Sequence, residues 1–201
     1  MIKYLSLALF GLLLAGCTPT FGTDFRHPAA DKLVFGQTTP ADVEAMMGKP
    51  LQQSITTIRP RTDEEKKTLT AMDPAPIGRT LTFLKYDYKK GIPKREIAFI
   101  FSDEKLCTSI FFSNFPEDSS DYDDSKIALL VKGKTTEAEA IGYFGVAKGR
   151  DEYPSIRDKT SHALRYTYGV EGPGGGVKEL VLLFDKDNVL QDYKFNSNLR
   201  P

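Results

Sequence analysis

Hydrophobic and polar positions along this chain follow two rhythms in turn, first helical and then alternating, and the pair of rhythms occurs twice. Gly36 to Gly48 reads at helical spacing, with Val43, Met46 and Met47 on one face, and Gly133 to Gly145 answers with Ala140, Tyr143 and Phe144. Both stretches begin Gly-x-Thr-Thr and close on glycine at a constant spacing of 97 residues, the mark of a duplicated supersecondary unit. Thr39, Pro40 and Asp42 supply a helix start and Gly48 with Pro50 a stop. Thr136 to Glu139 forms a capping box, and Gly145 is the second stop. Ala29 to Phe35 and Ser125 to Val131 are short helical candidates ahead of each copy, so each unit is expected to open as a helical hairpin.

The period then changes to two, with β-branched and aromatic residues enriched. Strands are expected at Leu81 to Tyr88, Arg95 to Ser102 and Lys105 to Ser113, and again at Ala163 to Tyr168, Lys178 to Asp185 and Val189 to Ser197. Gln52 to Ile58 offers a further one. The predicted fold class is α+β: two tandem repeats, each a helical hairpin packed on an antiparallel β-meander. Alternation puts Leu84, Tyr86, Tyr88, Ile97, Phe99, Phe101, Ile110 and Phe112 toward the helices, with Leu164, Tyr166, Tyr168, Leu180, Leu182, Phe184, Tyr193 and Phe195 in the second unit. The opposite face then carries an apolar stripe of Ala98, Ile100, Phe111, Val181 and Leu183 bordered by charge. Such a stripe serves as a partner-binding surface if it is free. It becomes core if the two sheets, or the proline-containing insertion from Arg59 to Gly78, cover it.

Residues 1–17 hold one lysine, an apolar run and a Leu-Ala-Gly-Cys ending. This reads as a secretory leader, its apolar run being shorter than the roughly 20 residues a membrane-spanning helix needs. The ending resembles the bacterial lipobox, which implies cleavage before Cys17 and acylation of its thiol. Thr18 in the next position favours the outer membrane. The expected organisation is a signal peptide at 1–16, a lipidated tether at 17–29, a first unit at 30–113, an acidic linker at 114–124 and a second unit at 125–201.

Charge and chemistry narrow the function. Lys plus Arg and Asp plus Glu are 27 each, so the chain lacks the basic footprint of a nucleic-acid binder. His27 and His162 have no second ligand at a metal-binding spacing, and neither a metal nor a cofactor is expected. Cys107 reads as a small strand residue and Asp121, Asp123 and Asp124 as a solvated linker. The tip from Gly169 to Val177 lacks the Gly-Lys-Ser/Thr ending of a phosphate loop. No catalytic constellation stands out.

Phe35-Gly36-Gln37-Thr38-Thr39, Val43, Met47-Gly48-Lys49-Pro50, Tyr86 and a strand ending in Phe101 resemble the small outer-membrane assembly lipoproteins (SmpA/OmlA, BamE-like). Gly133, Thr135, Thr136, Phe144 and Gly145 repeat part of that pattern, with Ala147 where the proline would be. Two such units in tandem are also similar to the β-lactamase inhibitory proteins. The first resemblance implies a membrane-anchored scaffold binding envelope proteins in outer-membrane assembly or maintenance and facing the periplasm. The second implies an inhibitor or modulator of an exported hydrolase. Neither implies an enzyme.

Overall fold

The computed structural model describes residues 19–170 and 175–199; the leader, Cys17 and the glycine-rich tip at 171–174 lie outside the described residues. Among the described residues nine strands make one antiparallel sheet: β1 (Thr20–Gly22), β2 (Gln52–Ile58), β3 (Arg79–Lys90), β4 (Lys94–Ser102), β5 (Lys105–Ser113), β6 (Gly149–Glu152), β7 (His162–Val170), β8 (Gly176–Phe184) and β9 (Leu190–Ser197). Their order is β1-β3-β4-β5-β6-β7-β8-β9. β2 pairs with Arg79 to Lys85 of β3 and β1 with Tyr88 to Lys90, so both lie along the same edge of that strand.

Two helical-hairpin units on separate meanders are therefore not what forms. Strands take 41% of the described residues against 18% for helices. β6, which alternation did not reveal in four residues, pairs with β5 on one side and β7 on the other, and makes the sheet continuous. The expected first helices shrink to 3-10 turns at Ala30–Lys32 and Asp124–Leu129. Stretches this short cannot nucleate a stable α-helix alone. Their chain ends are also drawn into tight loops: Val34 N donates to Thr38 Oγ1, and Val131 N to Thr135 Oγ1, both at 2.9 Å.

What remains helical is α1 (Pro40–Met47), the one-turn α2 (Asp63–Lys66) and α3 (Glu137–Phe144). All three start with a threonine whose hydroxyl accepts a backbone N–H while an acidic side chain answers it. α1 and α3 pack on one face of the sheet over two cores. Val43, Leu84, Tyr86, Ile97, Phe99, Phe101, Leu106 and Phe111 build the first. Ala140, Phe144, Leu164, Tyr166, Leu180, Leu182, Phe184 and Leu190 build the second.

One contact recurs at the two helix ends. The Tyr86 and Tyr166 hydroxyls donate to Gly48 O and Gly145 O, each at 3.0 Å, tying sheet to helix end. A second likeness lies upstream: Asp24 and Phe25 meet Arg95 as Asp121 and Tyr122, 97 residues on, meet Lys178. Residues 19–28, expected as a tether, thus lie against the sheet.

Gly48 and Gly145 close the helices at φ 80° and 82°, with ψ −166° and −175°. That region is open essentially to glycine alone. An added Cβ would touch nothing within 4 Å at either site, so the cost of alanine is conformational. Gly48→Ala and Gly145→Ala are expected to lower stability by about 1 to 3 kcal/mol each in denaturant titration; an unchanged midpoint would contradict these helix ends.

Candidate partner-binding surfaces

Four residues of the predicted stripe, Ala98, Ile100, Val181 and Leu183, do point away from α1 and α3. Phe111 does not: it belongs to the first core beneath α1. The register between β4 and β5 shifts between Ile100 and Phe101, where Ile100 faces Thr108 and Phe101 faces Leu106, leaving Cys107 as the extra residue. One inserted residue reverses every later side chain. Phe111 therefore pairs with inward-facing Ile97, while Ile110 pairs with Ala98 on the opposite face, as does Phe112 with Glu96. Ile110 and Phe112 are thus not in the core as alternation predicted.

The rest of the stripe is largely covered. Val181 and Leu183 join Ala163 and Ile156 in a third small core, with Met72 of the 59–78 insertion packed on it. Backbone bonds hold the cover in place: Ala75 N to Pro154 O at 2.9 Å and Arg157 N to Ala71 O at 3.4 Å. Arg79, buried, donates to Ala75 O at 2.6 Å. Leu183 is 2% exposed, and Val181 and Ala98 are also buried. Only Ile100 stays half-buried, on the wall of a groove of about 650 Å³ between the insertion and the sheet.

That groove is lined by paired polar groups. Arg165 bridges Asp151, at 2.7 Å, and Glu179. Burial acts to lower the Arg165 pKa, and the two carboxylates more than reverse it. Thr108 Oγ1 donates to Ser155 Oγ at 2.6 Å, and Ser155 Oγ to Cys107 Sγ at 3.2 Å. Burial pushes the Cys107 thiol up despite that bond, which suits an inert side chain rather than a nucleophile. His162 is engaged elsewhere: its Nε2 lies 2.7 Å from Glu137 Oε2 at the start of α3, and its ring stacks on Phe184. His27 contacts two backbone carbonyls, Pro28 O at 2.7 Å and Lys148 O at 2.8 Å. Asp121 pairs with Lys178 at 2.8 Å and Asp123 caps a 3-10 turn, so the acidic linker is structural. Among the described residues no group of three or more potential metal ligands occurs.

The feature that sequence reading passed over is the outer edge of β2. Six of its seven residues are exposed, and Ile55 is 66% exposed. The run Gln-Gln-Ser-Ile-Thr-Thr-Ile carries no charge and no proline. Among the described residues β3 is its one strand partner. Natural sheets protect such edges with lysine, proline, bulges or a covering element, because an unpaired row of N–H and C=O groups templates another strand. β9, at the far edge, carries Asp192 and Lys194. The signal lay in the absence of charge at residues 52–58, once they are known to form an edge. Compared with models of known families, with curated proteins and with solved structures, the chain matches none.

Proposed function

We propose that the chain is a lipid-anchored protein of the cell envelope, facing the periplasm from the outer membrane, which binds a partner polypeptide by strand addition at β2. The uncharged exposed edge of β2 is the observation that carries this reading. Strand addition draws affinity from main-chain hydrogen bonds and specificity from alternate side chains, here Ser54, Thr56 and Ile58 on one face and Gln53, Ile55 and Thr57 on the other. The lipobox-like ending at Cys17 supplies the address.

A photo-crosslinking residue at Ser54 in intact cells is expected to trap a discrete protein adduct. Introducing Ile55→Lys and Thr57→Lys, the charges natural edges use, should abolish it. Both side chains are exposed, so the melting temperature should stay within about 1 to 2 °C of the parent, as for ordinary surface changes of under about 0.5 kcal/mol. An adduct that survives the two lysines, or no adduct above that from a control probe at Val146, which is 75% exposed and away from β2 in the sequence, would overturn the assignment. A trapped soluble hydrolase whose activity falls on binding would instead make the protein an inhibitor using the same edge.

A further inference from the structure

We infer that the β3–β4 turn, together with β1, is a membrane-contacting surface that rests in the headgroup layer of the bilayer holding the acyl chains. The inference rests on the lipid-anchor reading and adds an orientation to it. The sheet is engaged almost from the anchor onward. Gly91 N, in the turn, donates to Pro19 O at 3.0 Å, and Thr20 to Gly22 then pair with Lys90 to Tyr88. Gly22 sits at φ 76°, where a Cβ would lie 2.0 Å from Asp87 O, so β1 approaches β3 as closely as glycine alone permits. Asp24 and Phe25 O then bind Arg95 at 2.6 and 2.7 Å. Cys17 is two residues from Pro19, and two residues of chain span at most about 7 Å.

That reach matches the headgroup layer of one leaflet, about 5 to 7 Å deep. A body fixed at Pro19 cannot stand clear of it. The groups that meet the layer suit it. Ile92 at the tip is 72% exposed and Phe21 of β1 is 55% exposed, an apolar pair, and Lys89 and Lys90 lie beside them. Apolar side chains at the acyl boundary with lysines at the phosphates are the usual composition of an interfacial contact, the lysines being drawn to an anionic surface. The same geometry directs the partner edge. β2 occupies the other end of the same side of β3, and Ile55 pairs with Thr82, eight residues before Lys90. At about 3.3 Å per residue this sets Ile55 roughly 25 Å along β3 from Lys90, and farther from the tip.

The chain contains no tryptophan, so a single one reports position. The full lipidated protein carrying Ile92→Trp, reconstituted in vesicles of phosphatidylethanolamine and cardiolipin, is expected to show blue-shifted emission quenched severalfold by brominated acyl chains. Ile55→Trp should remain unshifted and unquenched. Lys89→Glu with Lys90→Glu in the Ile92→Trp protein should weaken the quenching at least twofold. An Ile92→Trp protein that carries the acyl mass and sediments with vesicles, yet shows unquenched emission, would overturn the docking while leaving the anchor standing. A chain without the acyl mass would overturn both. Equal quenching at positions 92 and 55 would overturn the orientation, and quenching indifferent to the two glutamates would overturn the part given to the lysines.

Discussion

Leu183→Asp is expected to unfold the protein, with a stability loss of at least about 4 kcal/mol. Truncating a buried leucine costs about 2 to 5 kcal/mol through lost transfer and packing. A carboxylate beneath Met72 and Ile156 would in addition be desolvated among Ala163 and Val181. A chain of this size loses roughly 2 to 4 °C per kcal/mol, so the melting temperature should fall by about 10 °C or more. Ile55→Asp, on an exposed strand, is the matched control and should melt like the parent. If Leu183→Asp melts within a few degrees of the parent, the 59–78 insertion does not cover the sheet in solution, and the stripe is again a candidate surface.

That contrast shows where residue patterns were informative. Helix ends at Thr39, Gly48, Thr136 and Gly145 were legible because caps and positive-φ glycines are local chemistry, decided within a few residues. Core positions such as Leu84, Ile97, Phe99 and Leu182 were legible because alternation persists wherever one face is buried. Phe111 was not, because a bulge at Cys107 changes phase without leaving a compositional mark. The continuous sheet was not legible either: it depends on β6, whose charged Gly-Arg-Asp-Glu run has no alternation of hydrophobicity to read. Helical hairpins were expected from short apolar runs, and turn hydrogen bonds through Thr38 and Thr135 prevailed over that propensity. The stripe was correctly placed on its face except for Phe111, yet whether a face is free depends on a long-range contact, here Met72 on Val181 and Leu183. The edge at β2 needed the strand order before its missing charges meant anything.

Arg95→Met should cost about 3 to 5 kcal/mol, because it removes one partner from a buried charge cluster and strands the other. The Arg95 side chain is 1% exposed. Its Nε donates to Asp118 Oδ2 at 2.6 Å and its Nη1 to Asp24 Oδ1 at 2.6 Å and Phe25 O at 2.7 Å, with the guanidinium 4.5 Å from the Phe115 ring centroid. It thus clamps the N-terminal segment and the linker at once. Lys178, its counterpart in the second half, serves Asp121 and Tyr122 O from a single ammonium, so Arg95→Lys should recover part of the loss but not all three contacts. Burial raises the Asp118 carboxyl pKa, but hydrogen bonds from Arg95 and Ser113 outweigh it and hold the folded value below the ordinary 3.8. A depressed carboxyl pKa adds stability that is present above the unfolded value and is lost as pH falls through the folded one. The gap between parent and Arg95→Met should accordingly be widest near neutral pH and narrow below pH 3.8. Replacing Arg95 together with its buried partner, Arg95→Met with Asp118→Asn, leaves no buried charge stranded, the Asp24 side chain being 55% exposed, and should restore most of the stability. A double mutant as unstable as the sum of the two single variants would show that Arg95 and Asp118 are not coupled, and that the bond between them contributes nothing.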